Sequence, residues 1–393
     1  MGGSWILSAA RTPIGAYLGS LSTLSAPELG AAAIREAVAR AGVDGERIDE
    51  VIMGCVLSAG LGQAPARQAA LKAGIPTSVS ALTINMVCGS GLKAVMLADQ
   101  AVRAGDAEIV VAGGMESMSR APHLVQGMRG GVKFGNQTIV DAMLHDGLWC
   151  AFDDCHMGMH AESTAEKFGA TRAEQDSFAA ESQRRAAKAA AEGAFDEEIV
   201  PVAVPTRKAP VVVARDEAPR PDTTVETLAA LRTSFRKDGT VTAGNASSLS
   251  DGAAAVVVAS EAHARRGGAA PLARIAAQAS HAVEPRDLFI APAFAVRRVL
   301  ERAGWSPSDV DLFEINEAFS SQMVACIRQL EIPREKVNVH GGAVALGHPI
   351  GASGARVLTT LLYAMRRRGA RRGVASLCLG GGDAVALAVE REQ

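Results

Sequence analysis

The sequence predicts an α/β protein built from two similar halves, with a long insertion between them. Two observations support this prediction: apolar, β-prone runs alternate with stretches of helical spacing, and one block of that pattern occurs twice. Such alternation is typical of strands joined by crossover helices, so we expect a mostly parallel sheet in each half. The insertion covers 119–248, and a loop region of that length is often functional, so we expect a lid that grips the substrate.

The first copy of the pattern begins with a strand at about 4–10. A helix follows from about Ala26, where Pro27 suits the first helical turn, and it runs to Gly42. The next strand is predicted at 48–53. The helix and the second strand belong to the block that the second half of the chain is expected to repeat.

The duplication rests on four features that occur in the same order in both halves. They are the helices 34–42 and 296–304, the strands 48–51 and 310–313, the corners 89–91 and 352–354, and the strand ends 111–114 and 379–382. The offset is 262 positions for the first two features and 263 for the third. A chance match between Ala- and Gly-rich helices is the alternative, but four matches in order favour duplication, and hence a pseudo-symmetric body.

The duplication and the insertion together predict three regions. The N-terminal half is expected at 1–118 and is completed by 249–268. The loop domain is expected at 119–248, and the C-terminal half at 269–393.

Composition excludes several classes of protein. A formal net charge of -2 over 393 residues gives no support for nucleic-acid binding, and no apolar run is long enough to span a bilayer. The N-terminus lacks the pattern of a signal peptide, so we expect a cytoplasmic location. Six cysteines without framework spacing are expected to be free thiols: Cys55, Cys88, Cys150, Cys155, Cys326 and Cys378.

Cys88 is the first candidate for chemistry. A β-prone run from Ala81 to Val87 meets the corner Gly89-Ser90-Gly91, after which a helical pattern begins. Cys88 should therefore lie at a helix N-terminus, where free N–H groups and the helix dipole favour a thiolate. We expect the two glycines of the corner to allow a sharp turn and a close approach of substrate. A buried structural cysteine beside a tight turn is the alternative.

Two further residues near the C-terminus strengthen the chemical interpretation. His348 lies on a Gly-rich loop before a helix and is a candidate base, although such a histidine is as often a satisfied turn residue. Cys378 precedes three glycines and is a candidate thiol with a cradle of N–H groups, although a core cysteine is the alternative. The duplication should bring the corner of Cys88 to face that of His348. One histidine and two thiols suit covalent acyl transfer.

Four motifs then carry a family resemblance: VCGSGLKAV (87–95), NEAFS (316–320), NVHGGAVALGHPIGASGAR (338–356) and CLGGG (378–382). They resemble the four signatures of the thiolase family, in family order, and the resemblance runs along the whole chain. It implies the thiolase fold, in which two duplicated βαβ-type halves pack as α-β-α-β-α layers with a lid insertion. GGVKFG (130–135) and DDCHMG (153–158) are similar to the tetrameric, acetoacetyl-CoA branch of the family.

The resemblance implies roles for five residues. Cys88 is the nucleophile that takes an acyl group from a first acyl-CoA, and His348 deprotonates it. Cys378 moves a proton at the α-carbon of the second acetyl-CoA. Asn316 holds a water that forms one oxyanion hole with His348, and the N–H groups of Cys88 and Gly380 form the other.

The resemblance also implies a path for coenzyme A and the acyl group, formed by His156, Arg220, Phe235, Ser247, Phe319, Leu148 and Met157. The alternative is that the two phenylalanines are core residues and that the arginine is a solvated charge. His156 and His160 have the i, i+4 spacing of a metal site, with Asp153, Asp154 and Cys155 nearby. Because the DDCHMG signature accounts for His156, we expect no metal and no cofactor.

Several positions depart from the family pattern. Phe289 and Ile290 stand where the family has flexible glycines, so we expect a reshaped acyl or pantetheine pocket. Asp383 follows the last motif and is expected to raise the pKa of the Cys378 thiol through like-charge repulsion. Cys155 stands where Tyr or Phe is common, and His160 where small or hydroxyl residues are usual.

The sequence thus predicts a cytoplasmic homotetrameric acyltransferase that joins two acetyl-CoA into acetoacetyl-CoA and CoA, or runs the reverse thiolysis. A degradative 3-ketoacyl-CoA thiolase of broader chain length is the alternative within the family. A ketoacyl-carrier-protein synthase would have a second histidine where Cys378 stands. A non-catalytic acyl-CoA-binding paralogue should have lost Cys88, His348 or Cys378, and all three are present.

Overall fold

A computed structural model describes residues 3–266 and 270–392. The strands are β1 Ser4–Arg11, β2 Gly15–Ala16, β3 Glu50–Gly54, β4 Ser80–Ile84, β5 Ile109–Ser117, β6 His123–Leu124, β7 Val140–Asp141, β8 Trp149–Cys150, β9 Cys155–His156, β10 Val202–Val204, β11 Val211–Val213, β12 Ser250–Ser260, β13 Ala273–Ala282, β14 Leu312–Ile315, β15 Arg372–Leu379 and β16 Asp383–Glu390. The helices are α1 Ala26–Ala41, α2 Pro65–Ala73, α3 Ser90–Ala104, α4 Met157–Lys167, α5 Arg172–Ala191, α6 Val225–Ala229, α7 Glu261–Arg266, α8 Ala291–Ala303, α9 Ser320–Leu330, α10 Ala343–Leu346 and α11 Ile350–Arg368.

The main sheet has one half from each copy of the repeat. The N-terminal half has the order β4-β3-β5-β12-β1 and the C-terminal half the order β14-β15-β16-β13, with β1 and β13 pairing over two residues where the halves meet. In each half a parallel set (β4-β3-β5 or β14-β15) is followed by a strand that pairs antiparallel, β12 or β16. The expectation of mostly parallel pairing was therefore wrong. A short turn of three glycines, 380–382, joins β15 to β16, and such a turn allows only antiparallel pairing.

Five layers result from the packing of helices on these two half-sheets. α3 and α11 contact each other and lie between the halves, against β5 and β12 on one side and β14, β15 and β16 on the other. α1 and α2 cover the outer face of the N-terminal half, and α8 and α9 pack on that of the C-terminal half. The predicted α-β-α-β-α layering of two duplicated halves is confirmed.

The ends of the helices follow from local sequence. Ser25 and Glu28 form a capping box at the start of α1, Pro27 occupies its first turn, and Gly42 ends it in the left-handed conformation. Gly304 ends the equivalent helix α8 in the same conformation. The predicted helix from Ala26 to Gly42 is thus confirmed, and its C-terminal glycine recurs in the second copy.

The insertion packs mainly on the C-terminal half. α5 contacts α9 and α10, and α4 contacts α9 and the short helical segment Pro285–Ile290 that precedes α8. Because these contacts hold α4 beside the ends of the central helices, the insertion covers the place where the two halves meet.

Two features bear on the expected class of the protein. Within the described residues, no helix is long and apolar enough to cross a membrane. The six cysteines all lie in the described part of the chain, and each is a free thiol, as expected.

Candidate active site

A cavity of about 590 Å³ lies between the insertion and the N-terminal ends of α3 and α11. Its wall contains every residue that the sequence assigned to catalysis or to coenzyme A, with the exception of Asn316. The catalytic candidates in the wall are Cys88, His348, Cys378 and Gly380, and the binding candidates are Leu148, His156, Met157, Arg220, Phe235, Ser247 and Phe319.

Cys88 lies at the corner between β4 and α3, directly before the residue that caps the helix. The corner is held by Val87, whose φ of 45° is in the left-handed region that β-branched residues rarely adopt. Ser90 stabilises this turn, since its hydroxyl donates to the Val87 carbonyl at 2.7 Å and accepts from the Met86 N–H at 2.8 Å. A strained corner that presents a nucleophile is a feature of sites where geometry is held by the surrounding structure.

The glycines of this corner serve packing and not the turn. Gly89 has φ -81°, which any residue can adopt, and a Cβ there would collide with Leu379. A Cβ at Gly91 would lie 2.7 Å from the Ala355 nitrogen of α11. The expectation that these glycines make room for substrate was wrong; they allow β15 and α11 to approach the corner that carries Cys88.

The sulfur of Cys88 is surrounded by protein groups in spite of its place at the cavity wall. The backbone N–H groups of Gly380 and of Cys88 itself hydrogen-bond to the sulfur and lower its pKa, but burial outweighs them and raises the pKa to about 12. Glu116 adds a small rise of the same sign. The helix N-terminus therefore does not produce a thiolate in the free protein, so Cys88 needs a base.

His348 has the geometry of that base. Its Nδ1 lies 2.6 Å from the Ser353 hydroxyl, which donates its own proton to the Pro349 carbonyl at 2.9 Å, so Nδ1–H donates to Ser353. Nε2 is then the unprotonated nitrogen, and it is buried without a hydrogen-bond partner among the described residues. Burial, with a smaller contribution from Arg356, lowers the pKa of His348 to about 3. A neutral imidazole with a free Nε2 can accept the proton of a thiol.

Asn316 lies behind the imidazole and not in the cavity wall. It is fully buried; its Nδ2 is 3.4 Å from His348 Nδ1, and its Oδ1 accepts a hydrogen bond of 3.2 Å from Arg356. Arg356 also forms an ion pair of 3.2 Å with Glu314, and both side chains are 2% exposed. The water-holding role of Asn316 stays a prediction.

Arg356 and Ser353 are two polar residues near His348 to which sequence reasoning gave no role. Arg356 is the last residue of the third motif and the one charged residue in the apolar stretch of α11 from 350 to 365. A charge at such a position must be paired when buried. That signal was available in the sequence, but its partner Glu314 is 42 positions away.

Cys378 is the last residue but one of β15 and is 1% exposed. Burial raises the pKa of its thiol well above the usual value, and the neighbouring Cys88 sulfur adds to this rise, as does Cys326. Asp383 is not among the groups that shift it; the Asp383 carboxylate accepts a hydrogen bond of 2.7 Å from the Ala384 N–H. The expected repulsion from Asp383 is therefore not found, and Cys378 is a neutral thiol beside Cys88.

An aromatic wall extends from Cys378 toward the cavity mouth. The His156 ring stacks on Phe235 with centroids 4.7 Å apart, and Phe235 meets Phe319 edge to face at 6.2 Å. His156 Nδ1 accepts from the Gly158 N–H at 2.9 Å, which fixes the ring. Arg220 is exposed at the wall, and its guanidinium makes no hydrogen bond or ion pair within the described residues. The wall thus provides an apolar surface along its length and, at Arg220, a positive charge without a protein partner within the described residues.

The opposite end of the cavity is apolar and surrounds Cys88. Its side chains, most of which the sequence did not single out, are Met118, Met143, Leu144, Leu148, Leu249 and Ile350. Phe289 lies in the wall with its ring 5.1 Å from that of Phe319, whereas Ile290 packs into the outer core of the C-terminal half. Of the two bulky replacements, only Phe289 shapes the cavity.

The fold and these motifs agree with comparisons to known proteins. Residues 4–262 match the family model described as thiolase, N-terminal domain, and residues 269–391 match that of the thiolase, C-terminal domain. The acetyl-CoA acetyltransferases of Pseudomonas aeruginosa and Cupriavidus necator are each 56% identical over 388 residues, which is 98% of this chain and 99% of each relative.

A solved structure shows the same similarity in three dimensions. The crystal structure of the Bacillus anthracis acetyl-CoA acetyltransferase superposes with a TM-score of 0.97 at 44% identity, and the match covers 99% of both chains. Both domain models, the relatives and the fold therefore lead to one conclusion: this chain belongs to the thiolase family.

Proposed function

We propose that this protein is an acyltransferase that condenses two acetyl-CoA into acetoacetyl-CoA and CoA, and catalyses the reverse thiolysis, through an acetylated Cys88. One observation carries the proposal: two thiols and a neutral imidazole with a free Nε2 meet in one cavity, where two backbone N–H groups point at the Cys88 sulfur. The similarity to acetyl-CoA acetyltransferases supports acetyl as the transferred group.

In the first half-reaction His348 Nε2 takes the proton of Cys88 as the sulfur attacks the thioester carbonyl of acetyl-CoA. The carbonyl oxygen becomes negative, and we expect the N–H groups of Gly380 and Cys88, which point at the Cys88 sulfur, to stabilise it. Collapse of the tetrahedral intermediate breaks the carbon–sulfur bond to coenzyme A, which leaves as a thiol with the proton from His348. Losing one such donor typically costs about 3 kcal/mol of transition-state stabilisation.

In the second half-reaction the Cys378 thiol first passes its proton to His348, and the resulting thiolate removes a proton from the α-carbon of a second acetyl-CoA. The enolate oxygen is stabilised near the protonated His348, with Asn316 behind it, and the carbanion attacks the acetyl carbonyl on Cys88. The new carbon–carbon bond forms as the bond to the Cys88 sulfur breaks, and His348 returns its proton to that sulfur, so acetoacetyl-CoA is released and all three groups regain their starting protonation states. The proposal needs no cofactor, because the coenzyme A thioesters are the substrates.

The cavity supports a path for coenzyme A. We assign Phe235, Phe319 and His156 to the pantetheine arm, because an apolar channel suits its methylene and amide groups. Arg220 and Ser247 lie where the cavity reaches solvent, and the free guanidinium suits a phosphate of the nucleotide. Leu148 and Met157 are placed near the acyl end.

Acylation and thiolysis can be tested separately. Incubation with acetyl-CoA is expected to add one acetyl group to the peptide that contains Cys88, detected by mass spectrometry, and to release coenzyme A. Thiolysis of acetoacetyl-CoA should then exceed that of longer 3-ketoacyl-CoA substrates. A flat preference across chain lengths would support the degradative alternative, and no acylation at all would support a non-catalytic binding protein.

Phe289 is expected to limit the acyl chain. Replacing Phe289 by leucine opens space beside Phe319, so the ratio of kcat/KM for 3-ketohexanoyl-CoA to that for acetoacetyl-CoA should rise by about tenfold. The measurement is steady-state thiolysis at saturating coenzyme A. Ile290→Leu is the matched control, since Ile290 lies outside the cavity and should leave the ratio unchanged. An unchanged ratio in Phe289→Leu would assign chain length to other residues.

The pH dependence of acylation follows from the pKa of His348. Because that pKa is lowered to about 3, the imidazole is neutral throughout the working range, and single-turnover acylation by acetyl-CoA should show no inflection near pH 6.5. The unfolded chain binds a proton at His348 below about pH 6.5, which the folded chain does not. The contribution to stability is thus complete above that pH and is lost as pH falls toward 3. An acid inflection near 6.5 would indicate a titrating, solvated histidine.

We also propose that the protein is a cytoplasmic homotetramer. The insertion supports assembly, because its segment 125–139 exposes apolar side chains that include Phe134, at 99%, and Ile139, at 64%. Six free thiols agree with a reducing compartment. Sedimentation velocity tests the assembly: Phe134→Ser should lower the mass below that of the wild type.

A further inference from the structure

Three side chains that can bind metal gather beside the cavity, outside the catalytic group, and Cys155 lies next to one of them. The Cys150 sulfur, an Asp153 carboxylate oxygen and a ring nitrogen of His160 all lie within 4.8 Å of one another. The Cys155 sulfur is 3.6 Å from His160 Nε2, and an Asp153 oxygen is also 3.6 Å from it. Cys150 and His160 are buried.

The fold explains why these residues meet. β8 and β9 form a short hairpin that places Cys150 directly opposite Cys155, and Asp153 lies in the connecting turn, where its N–H donates to the Cys150 sulfur at 3.4 Å. His160 lies in the first turns of α4, which begins directly after the hairpin. The four residues thus come from one segment of eleven positions, 150–160, that folds back on itself.

Two neighbouring residues that could also act as metal ligands, Asp154 and His156, have other partners in the structure. Asp154 accepts a hydrogen bond of 2.8 Å from the Trp149 ring nitrogen, and His156 stacks on Phe235 in the cavity wall. The His156 and His160 pair that sequence spacing suggested is therefore not a metal site. Asp153, which the sequence did not separate from Asp154, belongs with Cys150 and His160.

We propose that Cys150, Asp153, Cys155 and His160 bind one zinc ion that holds the hairpin against α4. Two sulfurs, one imidazole nitrogen and one carboxylate oxygen are ligands that zinc accepts, whereas magnesium and calcium require oxygen. With Zn–N near 2.1 Å and Zn–S near 2.3 Å, the nitrogen–sulfur edge of a tetrahedron is about 3.6 Å. The observed separation of His160 Nε2 from the Cys155 sulfur equals that edge.

Charge also suits the ion. Binding releases a proton from each thiol to solvent, so two thiolates and one carboxylate surround a divalent cation and a neutral imidazole, with one net negative charge. The Arg286 guanidinium lies 3.6 Å from Asp153 and is well exposed, so it can balance this charge from the solvent side. A cation beside a ligand carboxylate is a common outer contact of metal sites.

The consequence concerns the acyl end of the cavity. Leu148 directly precedes β8, and His156 and Met157 follow Cys155, so the residues that line the cavity flank the ligands on both sides. Fixing the hairpin therefore fixes these three side chains. The site has a structural role and takes no part in the bond-making steps.

Zinc content of the full-length protein is the direct test. The protein purified without chelator and dialysed should contain about one zinc per chain by inductively coupled plasma mass spectrometry. Cys150→Ser and His160→Gln should each reduce this to near zero, whereas Cys326→Ser and His123→Gln, which change the same residue types elsewhere, should keep it. Cys88→Ala should also keep it, which excludes binding by the catalytic thiols.

A second measurement covers variants that fail to fold. Metal-depleted wild type should regain one zinc at submicromolar free concentration and melt at a higher temperature, and folded His160→Gln should do neither. Six titratable thiols with no zinc would overturn the proposal. So would four titratable thiols, which would indicate a Cys150–Cys155 disulfide, and so would zinc retained in both ligand variants.

Discussion

Replacing Cys378 by serine is expected to abolish condensation while leaving acylation of Cys88 intact. The Cys378 thiol lies beside the Cys88 sulfur at the end of β15, and it is not needed for Cys88 to attack a thioester. A serine hydroxyl is far less acidic than a thiol, so its anion, which would have to accept the α-proton, is almost never formed. We expect turnover in both directions to fall by about 10²–10⁴-fold, the range typical of a lost general acid–base group.

Two assays separate the half-reactions in this variant. Release of coenzyme A from acetyl-CoA in a single turnover should keep its wild-type rate, and exchange of α-protons of acetyl-CoA with deuterium in solvent should be lost. Cys326→Ser is the control, since Cys326 is another buried thiol and its sulfur contacts the Phe289 carbonyl at 3.3 Å, outside the reacting centre. If acylation slowed as much as condensation, Cys378 would instead act on Cys88.

Replacing Arg356 by methionine is expected to destabilise the fold and, separately, to reduce kcat. Arg356 and Glu314 are both 2% exposed and form an ion pair of 3.2 Å within the C-terminal half. Burial raises the pKa of Glu314, and the positive charge of Arg356 beside it opposes that rise. Removing the arginine leaves a buried carboxylate without its partner, which costs about 3–5 kcal/mol in comparable cases.

The effect on kcat has a different cause. Arg356 donates to Asn316 Oδ1, and Asn316 Nδ2 is 3.4 Å from the His348 ring. Without Arg356 the amide is free to rotate, so the group behind His348 loses its orientation. Arg356 is thus a positioning residue, because it acts on the imidazole through Asn316 and does not line the cavity.

A double variant distinguishes stability from positioning. Arg356→Met with Glu314→Gln removes both charges, so the free energy of unfolding, measured with urea, should recover most of the loss. The kcat of the double variant should stay about tenfold or more below wild type with KM little changed. Arg356→Lys should keep the charge and lose the fork that reaches both partners. Wild-type kcat in the stable double variant would limit Arg356 to a structural role.

Local sequence was sufficient wherever neighbouring residues decide the structure. The capping box and the Gly42 stop of α1, the corner before α3 and the helix α5 follow from contacts within a few positions. The duplication could be recognised from the sequence because both copies have the same helix, strand and glycine motifs in the same order. Motifs identified Cys88, His348 and Cys378 because these lie on short, unusual Gly-rich segments.

The tertiary structure corrected what the sequence predicted for Cys88 and for the two glycines beside it. The helix N-terminus next to Cys88 suggested a thiolate, but burial holds the thiol protonated. Gly89 and Gly91 make room for β15 and α11, elements that lie more than 250 positions away. The pKa of a buried group depends on every element packed around it, which a linear pattern does not contain.

The sequence by itself determined the layered α/β halves, the family and the candidates for the nucleophile, the base and the second thiol, because these depend on local periodicity and on motifs. Only the tertiary structure decided the antiparallel pairing of β12, the burial of Asn316 behind His348 and the Arg356–Glu314 pair. Each of these depends on which distant residues share a buried space, where an unpaired charge or polar group is costly. Three-dimensional packing brings such partners together, and no regular spacing in the sequence indicates them.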